Sequence, residues 1–249
     1  MNEKTKILEM LEQGKINAEE AAKLLAAVAE GKKKDVSSKI VESVMDGVSS
    51  VVEAIPDSVS SAFSFSSGGE KGVKAEKGDD VLIKCVGSSI TLSKHGDNEL
   101  KVNSESGIIR TKRDDSSVIS KLVGAQADIS YPSGFPVFVK DVGGSVKGVC
   151  PQEFSLKQVG GSAKLSLDVI KDVQIVAKGG SITLLLGECD FSFDISAPDG
   201  TIDFDIPAKF EIKKEERVKG KVKKGKGKLV VKVTSGDVSV IPKKEGENK

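Results

Sequence analysis

Between Lys209 and Lys232 the sequence sets 11 Lys/Arg against three Glu. Cations packed this closely along a chain attract phosphate, sulfate or carboxylate polymers and release their counterions on binding. Lys219, Lys221, Lys223, Lys224, Lys226 and Lys228 dominate the stretch and are the candidate polyanion-binding residues. Phe210 is its only aromatic residue, so no platform for stacking bases accompanies the lysines. An anionic polymer or a membrane surface is the expected partner of such a site, and sequence-specific nucleic acid is not. A structural role competes with binding. Subtracting one repeat of roughly 18 residues puts Lys221 over Asp203 and Lys223 over Asp205, as opposite-charge pairs on adjacent strands. The arithmetic favours that second role.

Other chemistry is sparse. Cys85, Cys150 and Cys189 are too far apart for a CxxC-type zinc site, are odd in number, and have a single histidine, His95, to join them. They read as buried small hydrophobes, with Cys189 the one candidate for a reactive thiol, though no basic neighbour is evident to lower its pKa. Asp190, Asp194, Asp199, Asp203 and Asp205 sit at a spacing that suits solvated strand faces rather than a catalytic cleft. No serine stands in a nucleophile context, so the expectation is a non-enzymatic protein with no metal and no cofactor, with a polyanion-binding or adhesin-like module as the first alternative and a carbohydrate-active β-helix enzyme as the second.

The element that positions these residues is a repeat. Ser88, Gly107, Gly144, Gly161, Gly180, Gly200 and Gly236 recur at one interval, with two long gaps that are twice the short one. Apolar pairs precede each turn by seven and five residues, as in Val81 and Ile83, Phe154 and Leu156, or Val173 and Ile175. Further pairs follow by two and four, as in Ile90 and Leu92 or Ile182 and Leu184. A spacing of two is strand periodicity, and glycine between two short strands allows a tight turn. One such unit cannot bury its apolar face. Stacked units share a core, so residues 79–242 are expected to form a mainly β protein, a single-stack β-solenoid of about nine short coils. Val142-Gly143-Gly144-Ser145 and Lys178-Gly179-Gly180-Ser181 precede β patterns, so neither is a phosphate-binding loop that opens a helix.

Residues 1–31 break the β pattern. Ile7, Leu8, Met10 and Leu11 make a helical stripe, Gly14 ends it, and Asn17 caps a second helix with Glu20 at the reciprocal position. Ala21, Leu24, Leu25 and Val28 give that helix its apolar face. A hairpin this small needs something to dock on. Ile7, Leu8, Leu11, Leu24, Leu25 and Val28 are therefore the candidate partner-binding residues, for another protein or a second copy. The run from Ile7 to Leu25 resembles the SHOCT-like N-terminal domain, which in bacterial proteins often precedes a repeat region of the DUF4097, adhesin-like type. The glycine-turn repeats of residues 79–241 look like that second family. The resemblance implies a right-handed β-solenoid (β-helix) and an association with envelope-stress systems of Gram-positive bacteria, and it supplies no catalytic residues.

Residues 32–78 join the two parts. Ile40, Val44, Val48, Val51, Val52 and Ile55 form an amphipathic helical stripe whose polar face holds Lys39 as its only base, which favours covering an open solenoid end or a second chain over a membrane surface. Residues 64–80 read as a flexible lead-in, and 243–249 as a polar tail. Net charge of +1 implies no global polyelectrolyte partner. No secretory leader or apolar run of spanning length is evident, so the cytoplasm is the expected location, with association to the envelope or membrane as the alternative.

Overall fold

The computed structural model describes residues 69–244, and the fold is that of these residues. The expected N-terminal hairpin with its six candidate partner residues, the amphipathic stripe and residues 245–249 lie outside them. Among the described residues there are fifteen strands and no helix. They are β1 (Gly69–Lys74), β2 (Asp80–Val86), β3 (Ser89–His95), β4 (Glu99–Asp114), β5 (Ser117–Pro132), β6 (Val137–Val142), β7 (Ser145–Val149) and β8 (Glu153–Val159). There follow β9 (Ser162–Leu167), β10 (Asp172–Leu186), β11 (Phe191–Ser196), β12 (Ile202–Phe204), β13 (Lys209–Lys214), β14 (Arg217–Val222) and β15 (Gly227–Pro242). β1 falls within the stretch read as a flexible lead-in, where its pairing with β4 rather than any apolar pattern makes it a strand.

Each rung is a first arm, a corner and a second arm. Alternation decides what each arm buries: in β10, Val173, Ile175 and Ala177 point inward and are buried while Gln174 and Val176 are exposed, and beyond the corner Ile182, Leu184 and Leu186 are buried in turn. First arms pair with first arms and second with second, all in parallel. β8 and β9 thus both flank β10, and the pairings close on themselves as a solenoid-like wall around one apolar core. All the apolar pairs expected to face inward are buried, except Ile202 and Phe204, which pack half-buried against the core.

Seven rungs are parallel, fewer than the nine expected, and they do not stack in chain order. From one end they run β5, then β2 with β3, β6 with β7, β8 with β9, β10, β15, and β11 with β12. Two segments counted as coils run antiparallel instead. β4 lies antiparallel along β5 from Ser117 to Ser130, and β14 lies antiparallel on β11 with β13 beyond it. The sequence signal misleads here because the apolar period of a hairpin strand equals that of a coil arm.

The corners explain the turn residues. At the Gly160-Gly161 corner both residues have positive φ, 68° and 82°, and a Cβ on Gly161 would collide with the Gly144 carbonyl oxygen of the rung beneath. The same close approach links a column running Ser88, Gly144, Gly161, Gly180, Gly236, Gly200, so the order of the column is the order of the rungs. The long gap between Gly107 and Gly144 hides a true rung whose corner residue is Ala125, with its N–H bonded to the Ser88 hydroxyl. The gap between Gly200 and Gly236 hides the β13–β14 hairpin.

That hairpin closes one end. Phe193 of β11 stacks on Phe204 of β12 at 4.6 Å, and Phe210 of β13 meets both edge-on at 5.7 and 5.5 Å. At the opposite end Arg113 of β4 holds the turn before β2. Its guanidinium donates to both Asp79 oxygens at 3.0 and 3.3 Å and to Glu76 at 2.6 Å, and it draws the Asp79 carboxyl below its ordinary pKa.

Candidate functional site: two basic surfaces

The six lysines singled out by sequence do not form one site. Lys219 pairs with Glu211 across the hairpin at 3.0 Å, and Lys223 donates to the Glu188 carbonyl at 3.2 Å with the Glu188 carboxylate 3.7 Å away. Lys224 and Lys226 lie in a tight turn. Their N–H groups and that of Gly225 all donate to one oxygen of Asp190, at 2.9, 3.1 and 2.6 Å, which draws that carboxyl below its ordinary value although burial opposes it. Their side chains are exposed. Lys221 and Lys228 flank Ser192 on neighbouring strands, with Lys209 opposite Lys221 and Asp172 opposite Lys228.

The expected pairs with Asp203 and Asp205 are not formed. Asp203 sits opposite Ser239 on the other wall, and the Asp205 N–H donates to Val240. Because residues 209–222 double back as a hairpin, counting one repeat backwards from them lands on the wrong wall. The ion pairs that this stretch does form use other acids. Arg217 donates twice to Asp194, at 3.0 and 2.8 Å, and holds that carboxyl below its usual range.

A second basic feature, which the sequence reading passes over, runs across the first arms. Arg110, Lys121, Lys84, Lys140 and Lys157 occupy matched positions on β4, β5, β2, β6 and β8; Val176 continues the row on β10 and Lys232 on β15. Lys140, Lys157 and Lys232 are exposed, and Lys84 and Lys121 half-buried. Burial first, and then the positive charges of Lys84, Lys112 and Arg110, hold Lys121 below the ordinary lysine pKa. The signal was present in the sequence. Lys84, Lys140 and Lys157 each stand four residues before a corner residue, at an offset between the apolar positions and far less dense than the run near residue 220.

Buried polar groups are few. Asp141 and Gln158 face inward side by side, where Gln158 Nε2 donates to Asp141 Oδ2 at 2.9 Å and to the Ser162 carbonyl at 3.2 Å. Asp141 Oδ1 is buried with no hydrogen-bond partner, and burial pushes the carboxyl above its usual range. All three cysteines are buried, with thiols pushed up by burial. Cys189 does have basic neighbours, Lys223 and Lys243, but burial and Asp168 outweigh them, and its thiol donates to the Leu167 and Asp168 carbonyls at 3.2 Å each. A cavity of about 220 Å³ opens beside Tyr131, Lys94, Gln152 and Asp168, and the Tyr131 hydroxyl donates to the Val149 carbonyl at 3.0 Å. Among the described residues no group of His, Cys, Asp and Glu is placed to hold a metal ion.

Residues 2–33 match the SHOCT-like domain family. No curated protein matches the chain. Among solved structures the chain is similar to a candidate cell adhesion protein from Clostridium sporogenes, with a TM-score of 0.50 at 13% identity over 71% of this chain and 100% of that one. A candidate adhesin from Bacteroides fragilis aligns over 71% of this chain and 97% of its own at 10% identity, with a TM-score of 0.27, too low to bear on the fold. The first likeness is one of fold.

Proposed function

We propose that this protein is a non-enzymatic scaffold or interaction protein, in which the SHOCT-like segment engages a protein partner or a second copy and the solenoid presents an extended surface. The observation that supports this reading is how the solenoid uses its polar groups. Asp190 holds a turn, Ser88 a corner, Asp79 the turn before β2 by accepting from the Glu76 N–H, and Asp237 accepts from both the N–H and the hydroxyl of Thr201. Side chains tied to backbone in this way serve the stack. The rungs between β6 and β10 are joined by returns of three to four residues, which leave no room for the long loops that wall a catalytic cleft.

The order of a SHOCT-like segment followed by a β-repeat region is also that of the DUF4097-type proteins, and on that likeness the proposal extends to a role in bacterial envelope stress, from the cytoplasm or at the membrane surface. The direct test is the solution mass of the full chain by light scattering, alone and as the Leu11→Asp/Leu25→Asp variant. A mass above that of one chain that falls in the variant supports self-association through the N-terminal segment. A single-chain mass in both assigns that segment to a different protein, and cross-linking in cells at Leu11 and Leu25 then identifies it. Absence of any cross-linked product, together with a single-chain mass, overturns the interaction role of that segment.

A further inference from the structure

The row from Arg110 to Lys157 stands out on electrostatic grounds. Parallel in-register pairing puts like charges directly opposite one another on successive strands, an arrangement that costs stability in a sheet. Lysines that blunt an exposed strand edge would belong on edge strands, whereas β2, β6 and β8 are each paired on both sides. No ion pair among the described residues involves Lys84, Lys140 or Lys157. The neighbouring outward row is uncharged on β5, β2, β6 and β8, with Ile119, Leu82, Phe138 and Ser155, and only on β4 does it carry a cation, Lys112, so across these four strands the positive charge is confined to a line. On its other side Val123, Val86, Val142 and Val159 form a half-buried apolar rail.

We infer that this line is a binding track for a linear acidic polysaccharide, laid across the strands with its sugar units in step with the rungs. The inference rests on reading the solenoid as a display surface and names what it displays to. A rung spacing of about 4.8 Å is close to the length of one pyranose unit, so a polymer with one acid group per sugar stays in step with the rungs and brings a carboxylate to the row wherever its screw turns one toward the lysines. The apolar rows on either side, with Phe138 38% exposed, offer C–H and aromatic surface to the faces of the sugar rings. A nucleic acid strand would find no succession of aromatic side chains on which to stack its bases.

The test uses the full chain titrated with polygalacturonate oligomers of increasing length, followed by calorimetry at low and physiological salt. Affinity is expected to rise with length until the oligomer spans Lys121 to Lys157, and to fall with salt. Lys140→Gln/Lys157→Gln should weaken binding at least about tenfold and reduce the slope of log affinity against log salt by about 2. Lys140→Arg/Lys157→Arg should retain binding, and so should Lys224→Gln/Lys226→Gln in the turn after β14. No binding by the parent chain, or equal losses in the two glutamine doubles, overturns the track. Inorganic polyphosphate bound as tightly as polygalacturonate overturns the sugar assignment, and so does binding confined to anionic lipid vesicles. A lowered melting temperature in Lys140→Gln/Lys157→Gln without lost binding would make the row structural. The reading of the N-terminal segment is independent of these outcomes, because it stands or falls on the solution mass and cross-linking.

Discussion

At Gly161 the backbone meets two constraints at once, a left-handed φ and a carbonyl oxygen where a Cβ would go, while its neighbour Gly160 has positive φ with open space around it. Gly161→Ala should therefore cost about 2–4 kcal/mol and Gly160→Ala only about 1–2, the difference measuring the contact between rungs. Thermal melts of the two variants check it. Asp141 gives a pH-dependent test. Burial raises its folded-state pKa above the unfolded value, so folding favours the protonated acid; the folded state is undisturbed at pH below the unfolded carboxylate value of about 4 and loses stability as pH rises through the folded value. Asp141→Asn should melt higher than the parent at pH 7, and the two melting curves should converge as pH falls toward 4. Asp79 behaves with the opposite sign. Arg113 lowers its pKa, so the stability it contributes is present above about pH 4 and is lost on acidification below it.

The β13–β14 hairpin shows what an element can do that its residues do not announce. Its strands carry the alternation of a coil arm, yet Phe210 turns the pair into a cover for the aromatic cluster of Phe193 and Phe204. Phe210→Ala should cost about 2 kcal/mol and, by hydrogen exchange, release the amides of β13 and β14 before those of β10. The inward faces of the arms and the corner residues were readable from spacing, because alternation and glycine corners are both local. Which strand lies beside which was not readable. Gly107 and Gly144 bracket a rung, while Gly200 and Gly236 bracket a hairpin, and the two gaps are alike in length. The lysine row was hidden for a related reason. Lys84, Lys140 and Lys157 share one offset from their corners, but they and Lys121 become neighbours on one line only once the order β5, β2, β6, β8 is known.

For the molecule as a whole, β15 matters most. It pairs with β10 over both arms and with β11 and β12 on its other side, so it joins the central rungs to the covered end. A chain ending at Lys226 should lose more than its last strand. β10, β11 and β12 would all be left with bare edges, and such a protein is expected to elute as aggregates in size-exclusion chromatography, whereas a chain ending at Lys244 should match the parent. The placement of β15 also separates the order in which rungs are made from the order in which they stack. A ribosome releases β10, then β11 and β12, then the hairpin, and only afterwards the strand that belongs between the first two. Until residues 227–242 emerge, the growing chain therefore carries its covered end unattached. A translational pause anywhere from Asp205 to Lys226 would prolong the one interval in which another nascent copy can take β15's place.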